Sequence, residues 1–105
     1  MLKKPQTPKS RWSVQQLEAY IRKQSSDTHK IVFLPHAKAQ MKKRKITMDL
    51  ALATLRKGKI NLQPEPDSNT GDLKCRMEYF CAGEDIKIVV AISDDNPDLV
   101  VVTAI

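Results

Sequence analysis

The last third of the chain limits the possible folds most. Three runs, LKCRMEYF (Leu73–Phe80), IKIVVAI (Ile86–Ile92) and LVVVTAI (Leu99–Ile105), are rich in β-branched and aromatic side chains, which suit a pleated, half-buried surface. The connections CAGED and SDDNPD are short enough for hairpins, so the runs are expected to form an antiparallel meander. Alternation in the first run sets Leu73, Cys75, Met77 and Tyr79 on one face. Lys74, Arg76, Glu78 and Phe80 fall on the other. The middle run is almost wholly apolar, as expected of a central strand covered on both faces.

Upstream the period changes from that of a strand to that of a helix. Ser13 with Gln16 matches a capping box, and Val14, Leu17 and Ile21, with Tyr20 beside them, follow at helical spacing. A helix is expected over about Val14–Gln24, ended by SSDTH. KIVFLP reads as a short strand closed by Pro35, and proline suits the first turn of a helix over His36–Lys45. KIT breaks that helix. Thr47 then caps a third helix, Met48–Lys57, with an apolar stripe of Met48, Ala51, Leu52 and Leu55 and with Gly58 as its C′ residue. Residues 1–12 are Lys/Pro-rich and unpatterned, and read as a flexible basic arm. Residues 13–105 read as one domain. The expected class is α+β, with N-terminal helices packed on one face of a small antiparallel sheet.

Charge divides the chain in two. Residues 1–60 carry 15 Lys and Arg against Glu18, Asp27 and Asp49, whereas residues 61–105 carry three cations against nine carboxylates. Such asymmetry points to a polyanionic partner, with nucleic acid the expected one. A basic face balanced within the fold, or one that attracts an acidic protein, is the alternative. No apolar run approaches the ~18 residues of a membrane span, and the basic start lacks the apolar stretch of a secretory signal. A cytoplasmic protein without membrane attachment is expected. Cys75 and Cys81 lie six extended residues apart, roughly 20 Å, too far for a disulfide, and fit small core thiols.

One helix concentrates the chemistry. On a wheel turning about 100° per residue, His36, Lys43, Gln40 and Arg44 share a polar stripe, and Met41 anchors its edge. Neighbouring cations favour the neutral imidazole, which can accept a proton. On the strand face opposite the expected core, Arg76 has the forked geometry to hold a phosphate, with Lys74 beside it. Glu78 is either its ion-pair partner or a proton carrier. Tyr79 is a core side chain or a proton donor. Trp12 and Tyr20 read as packing residues, and Thr103 as a structural hydroxyl. There is no HExxH, P-loop, GxSxG or dinucleotide-binding glycine pattern, and no grouping of carboxylates resembles a metal cage. Neither a metal nor another cofactor is expected.

The order IVFLPHAKAQMKKRKIT, LATLRKGKI, KCRMEYFCAGEDIKIVVAI and LVVVTAI resembles the small RelE-like toxin-type domains of unknown function. Their signature is His-x3-Arg-Met-x2-Arg-x-Ile, followed by a glycine-bearing helix end, a meander and a closing VVT. His36, Met41, Arg44, Ile46, Gly58 and the VVVT of residues 100–103 match it, and Gln40 replaces the first arginine. The opening TPKSRWSVQQLEAYI is similar to the start of the motility quorum-sensing regulator (MqsR) toxin family of mRNA interferases. Together the resemblance spans about residues 7–105. It implies the toxin of a bacterial type II toxin–antitoxin system, a hydrolase-type endoribonuclease that needs no metal. The 2′-OH of RNA would attack the adjacent phosphate. His36, Arg76, Tyr79 and Glu78 would be catalytic, and Lys43, Arg44, Gln40 and Lys74 would bind RNA. The implied partners are mRNA, free or on the ribosome, and a cognate antitoxin, in some cases with a zinc-finger domain. Two alternatives stay open: an RNA- or ribosome-binding module without catalysis, and a protein-binding regulatory partner.

Overall fold

The meander forms where alternation places it, and everything else is arranged around it. The computed structural model describes residues 8–105. Its elements are α1 (Val14–Ser25), β1 (Ile31–Phe33), α2 (Pro35–Lys43), α3 (Met48–Lys57), β2 (Lys59–Ile60), β3 (Glu65–Pro66), β4 (Leu73–Cys81), β5 (Glu84–Ile92) and β6 (Leu99–Ala104). Short 3-10 turns over Lys9–Arg11 and Thr28–Lys30 precede α1 and β1.

The strand order is β1-β6-β5-β4-β2, with β3 also paired to β4. The sheet is therefore mixed rather than purely antiparallel, because β1 lies parallel to β6 at one edge. A three-residue strand carries no signal of its neighbour's direction; the long connection through α2, α3 and the meander decides it. The β4–β5 loop is also tighter than CAGED implied. Cys81 pairs with Glu84, and Ala82 and Gly83 form the whole turn, both at positive φ (53° and 81°), as a two-residue hairpin with the right-handed strand twist requires.

The core is one cluster. Leu17 and Ile21 of α1, Ala37 and Met41 of α2, and Ala51 and Leu55 of α3 meet Cys75, Met77, Ile88, Val90, Leu99 and Val101 of the sheet. The α1 cap forms as the sequence implies: the Gln16 N–H donates to Ser13 Oγ at 3.2 Å and the Ser13 N–H to Gln16 Oε1 at 2.8 Å. At α3 the Leu50 N–H donates to Thr47 Oγ1 at 3.1 Å. The buried stripe of α3 is Ala51, Thr54 and Leu55. Met48, expected in it, is 44% exposed at the first helical position.

Two helix ends depart from expectation. Helix α2 stops at Lys43, not Lys45. Lys45 turns left-handed (φ 58°), its N–H donates to the Lys42 carbonyl, and the Ile46 N–H reaches back to the Met41 carbonyl at 2.8 Å. This is the Schellman pairing that usually takes glycine. Gly58 is extended (φ −74°, ψ −179°) and is not a left-handed terminator. Its lack of a side chain serves close approach: a Cβ there would lie 2.7 Å from the Glu78 carbonyl oxygen and against that of Thr54.

The basic half also works inside the fold. Arg22 donates to the Gly58 carbonyl and Arg56 Nε to the Ser25 carbonyl, both at 2.8 Å, while Glu18 accepts the Ile60 N–H at 2.8 Å. These contacts tie α1 to α3 and β2. Of the stretch read as an arm, residues 8–12 pack on the domain. Lys9 Nζ donates to the Ser93 carbonyl at 2.8 Å and lies over the rings of Trp12 and Tyr20, which meet edge-on at 5.5 Å. Residues 1–7 lie outside the described residues. No helix among the described residues is long and apolar enough to cross a membrane.

Candidate functional site

One face of the sheet is covered by helices, and the alternate side chains of β4, β5 and β6 form the other. Lys74, Arg76 and Glu78 of β4, Lys87, Val89 and Ala91 of β5, and Val100, Val102 and Thr103 of β6 are all half-buried. The expectation that the middle strand is covered on both faces fails here. Nothing among the described residues packs as a helix layer on this side, and valine and alanine on β5 occupy a partly open face.

A bulge shapes that face. Val89 pairs with Thr103 while Val90 pairs with Val101, so β6 carries Val102 as an extra residue. Strict alternation from Val101 would send Thr103 into the core. The bulge turns both Val102 and Thr103 outward and returns Ala104 to the buried side. On the opposite flank, β2 pairs with Met77 and Glu78 while β3 pairs with Leu73 and Lys74. Residues 61–64 between them swing out. The result is a hollow of about 510 Å³ walled by Leu62, Gln63, Glu65, Lys74, Arg76, Val89, Val102 and Thr103.

Arg76 is central to this hollow. Its Nη2 lies 3.4 Å from Glu78 Oε2, in a pair whose side chains are 26% and 11% exposed. Arg76 Nε and Glu78 Oε2 are both sheltered from solvent without a hydrogen-bond partner. The pair is therefore an ion pair of loose geometry, not a forked guanidinium–carboxylate contact. Lys74 lies 4.0 Å from Asp67. Backbone N–H groups of Asn69 and Thr70, foremost, hold the Asp67 carboxyl below the usual carboxylate range, with Lys74 contributing less.

The helix-borne candidates are elsewhere. His36 is exposed in the first turn of α2 and does not line the Arg76 hollow. Lys43 and Arg44 are seven and eight residues away from it, ~10 Å or more along the axis. There they border a second hollow, with Glu84 and Asp85 of the β4–β5 hairpin. Gln40 is half-buried between these ends. The stripe thus begins at the histidine and ends against carboxylates. Arg76, Lys74 and Glu78 are brought together; His36, Lys43, Arg44 and Gln40 are not joined to them in one hollow. Tyr79 and Glu78 line a third, smaller depression of about 330 Å³ with Lys57, Lys59, Asn61, Phe80 and Asp85.

Sequence reasoning left out Leu62, Gln63, Glu65, Val89 and Val102. A bulge leaves no mark on a run of valines, and the swing of residues 61–64 depends on where β2 and β3 dock. Pro64 and Pro66 were the available hint, since proline breaks an edge ladder. Among the described residues, no group of three or more His, Cys, Asp or Glu side chains converges as a metal site would need.

Comparison with known proteins adds one assignment. No curated protein matches the chain, and no solved structure does. The model of the domain of unknown function DUF4258 matches residues 33–105, a span that holds α2, the whole meander and the Arg76 hollow, and the chain belongs to that family.

Proposed function

We propose that this chain acts on RNA, seating the sugar–phosphate backbone on the open face of its sheet with Arg76 as the principal anion-binding group. The observation that carries this reading is the sheltered Arg76 Nε without an acceptor at a hollow open to ligand. A buried donor left unpaired costs about 1–3 kcal/mol, and a phosphate that draws the guanidinium toward the hollow would supply the missing acceptor in its fork geometry. Lys74 adds a second cation, and Val89 and Val102 offer apolar wall for a ribose or base. Glu65 and Glu78 temper the hollow's attraction for anions, so affinity must come from several contacts along a strand.

The finer reading is a metal-independent endoribonuclease of RelE-like toxin type, with an antitoxin as its protein partner. The 2′-OH would give its proton to Glu78 and attack the adjacent phosphorus, forming a 2′,3′-cyclic phosphate as the bond to the 5′-oxygen breaks and that oxygen takes a proton from water. Arg76 would stabilise the charge gathering on the phosphorane, and Glu78 is the base nearest to it. The second reading is RNA binding without cleavage, favoured by the absence of His36 from the Arg76 hollow.

End-labelled single-stranded RNA, incubated with purified protein and EDTA, separates these readings. Cyclic-phosphate products, lost in Arg76→Ala and Glu78→Gln, support the nuclease. Binding without products supports the module. No binding by the wild type sinks both. His36→Ala tests whether the histidine of α2 takes part at all.

A further inference from the structure

We infer that Phe80, with Lys57 and Lys59, is a nucleobase-stacking subsite for single-stranded RNA, one end of the track that passes over Arg76. The inference rests on the proposed RNA reading and names how the same face would grip a second nucleotide.

Phe80 is the most exposed large apolar side chain among the described residues, at 69%. It is not part of the core cluster, nor among the side chains packed against it. It alternates with Arg76 and Glu78 along β4 and so shares their face, ~13 Å from Arg76 at the rise of an extended strand. An RNA strand of a few nucleotides bridges that distance.

The surroundings of the ring select the occupant. Lys57 ends α3 and Lys59 opens β2, paired with Glu78. Both are exposed, and both line the depression that holds Phe80. Asn61 contributes an amide, and Asp85, paired across from Phe80 on β5, a carboxylate. The ligand that satisfies this set has a flat ring to lie on the phenyl, N–H donors at its edge for Asp85 and Asn61, and an anionic linkage for the lysines. A nucleotide within a single strand has all three. Base–aromatic stacking tolerates any base, because every base has a π-face, so this subsite would add affinity more than sequence choice.

The test uses a single-stranded RNA octamer carrying one 2-aminopurine, whose fluorescence falls when it stacks. Wild-type protein is expected to bind it with quenching. Phe80→Ala should weaken binding by roughly 5- to 140-fold and abolish the quench, the range that one lost stacked base implies. Phe80→Tyr and Phe80→Trp should keep both. Melting temperature should stay at the wild-type value in all three, since the ring lies outside the core. Salt gives an independent readout: Phe80→Ala should leave the log–log slope unchanged, whereas Lys59→Ala should reduce it by roughly 0.7. If Phe80→Ala binds as well as wild type while Arg76→Ala is weakened, the stacking subsite is overturned and the RNA reading stands. Wild-type binding without quenching overturns the subsite too. If the wild type does not bind the octamer, the RNA reading itself fails and this inference falls with it.

Discussion

The two faces of β4 share one backbone and differ in every other respect. Toward the helices, Cys75 and Met77 are fully buried among apolar neighbours. Toward the open side, Lys74, Arg76, Glu78 and Phe80 stay half-buried or exposed, and two sheltered polar atoms lack a hydrogen-bond partner. Neighbouring residues of one strand, about 3.3 Å apart, thus fall into separate tasks. The covered face holds the fold together, and the open face keeps an arginine N–H that lacks an acceptor. Unpaired donors are tolerated only where the opposite face supplies stability enough.

That contrast can be broken experimentally. Met77→Ala is expected to cost about 2–5 kcal/mol in urea unfolding, as removal of a buried side chain does; a loss below about 1 kcal/mol would end the division between the faces. Gly58→Ala should cost about 1–3 kcal/mol, the range of overpacking, because its new methyl meets the Glu78 and Thr54 carbonyls from the side of α3. Thermal melts of the two variants rank these effects.

The cysteines sharpen the same comparison chemically. Burial pushes the Cys75 thiol up to about 12, against ~8.5 for a free thiol. The folded chain keeps a proton there that the unfolded chain releases above about pH 8.5. This group's contribution to stability is therefore complete below that pH and is lost as pH climbs toward 12. Cys75→Ala should be less stable at neutral pH yet lose less on going to pH 10. A thiol reagent under native conditions should label the half-buried Cys81 and spare Cys75.

Smaller effects are expected at the surface. Lys45→Gly should gain about 1 kcal/mol, since lysine at a left-handed position is strained by about 1–2 kcal/mol. Arg76→Ala should abolish most of the proposed RNA affinity and cost about 1–3 kcal/mol of stability, since it leaves the sheltered Glu78 Oε2 without its ion-pair partner. A stability loss well above about 3 kcal/mol, with RNA affinity kept, would move the arginine from the ligand-facing set to the structural one.

Legibility in the sequence followed the range of the forces. The Ser13–Gln16 box and the Thr47 cap depend on atoms three residues apart, and both could be read directly. So could the alternation of β4, which sets Phe80 on the face of Arg76. The stripe of His36 could be drawn from helical spacing, but its angles say nothing about what lies at either end, and Arg44 falls just past the end of α2. Its far end meets the acidic hairpin of Glu84 and Asp85, and its histidine is absent from the Arg76 hollow. The cations of the first half looked alike in composition. Packing alone separates Arg22 and Arg56, which bond backbone carbonyls, from Lys57 and Lys59, which remain exposed.

Periodicity, caps and turn residues determined that this chain makes helices first and an antiparallel meander afterwards, and which side chains of β4 share a face, because each depends on residues a few positions apart. Tertiary structure alone decided the parallel edge strand, the bulge that turns Thr103 outward and the swing of residues 61–64 that walls the hollow. Those features depend on pairings between strands distant in the chain, where the packing of the whole core outweighs any local preference.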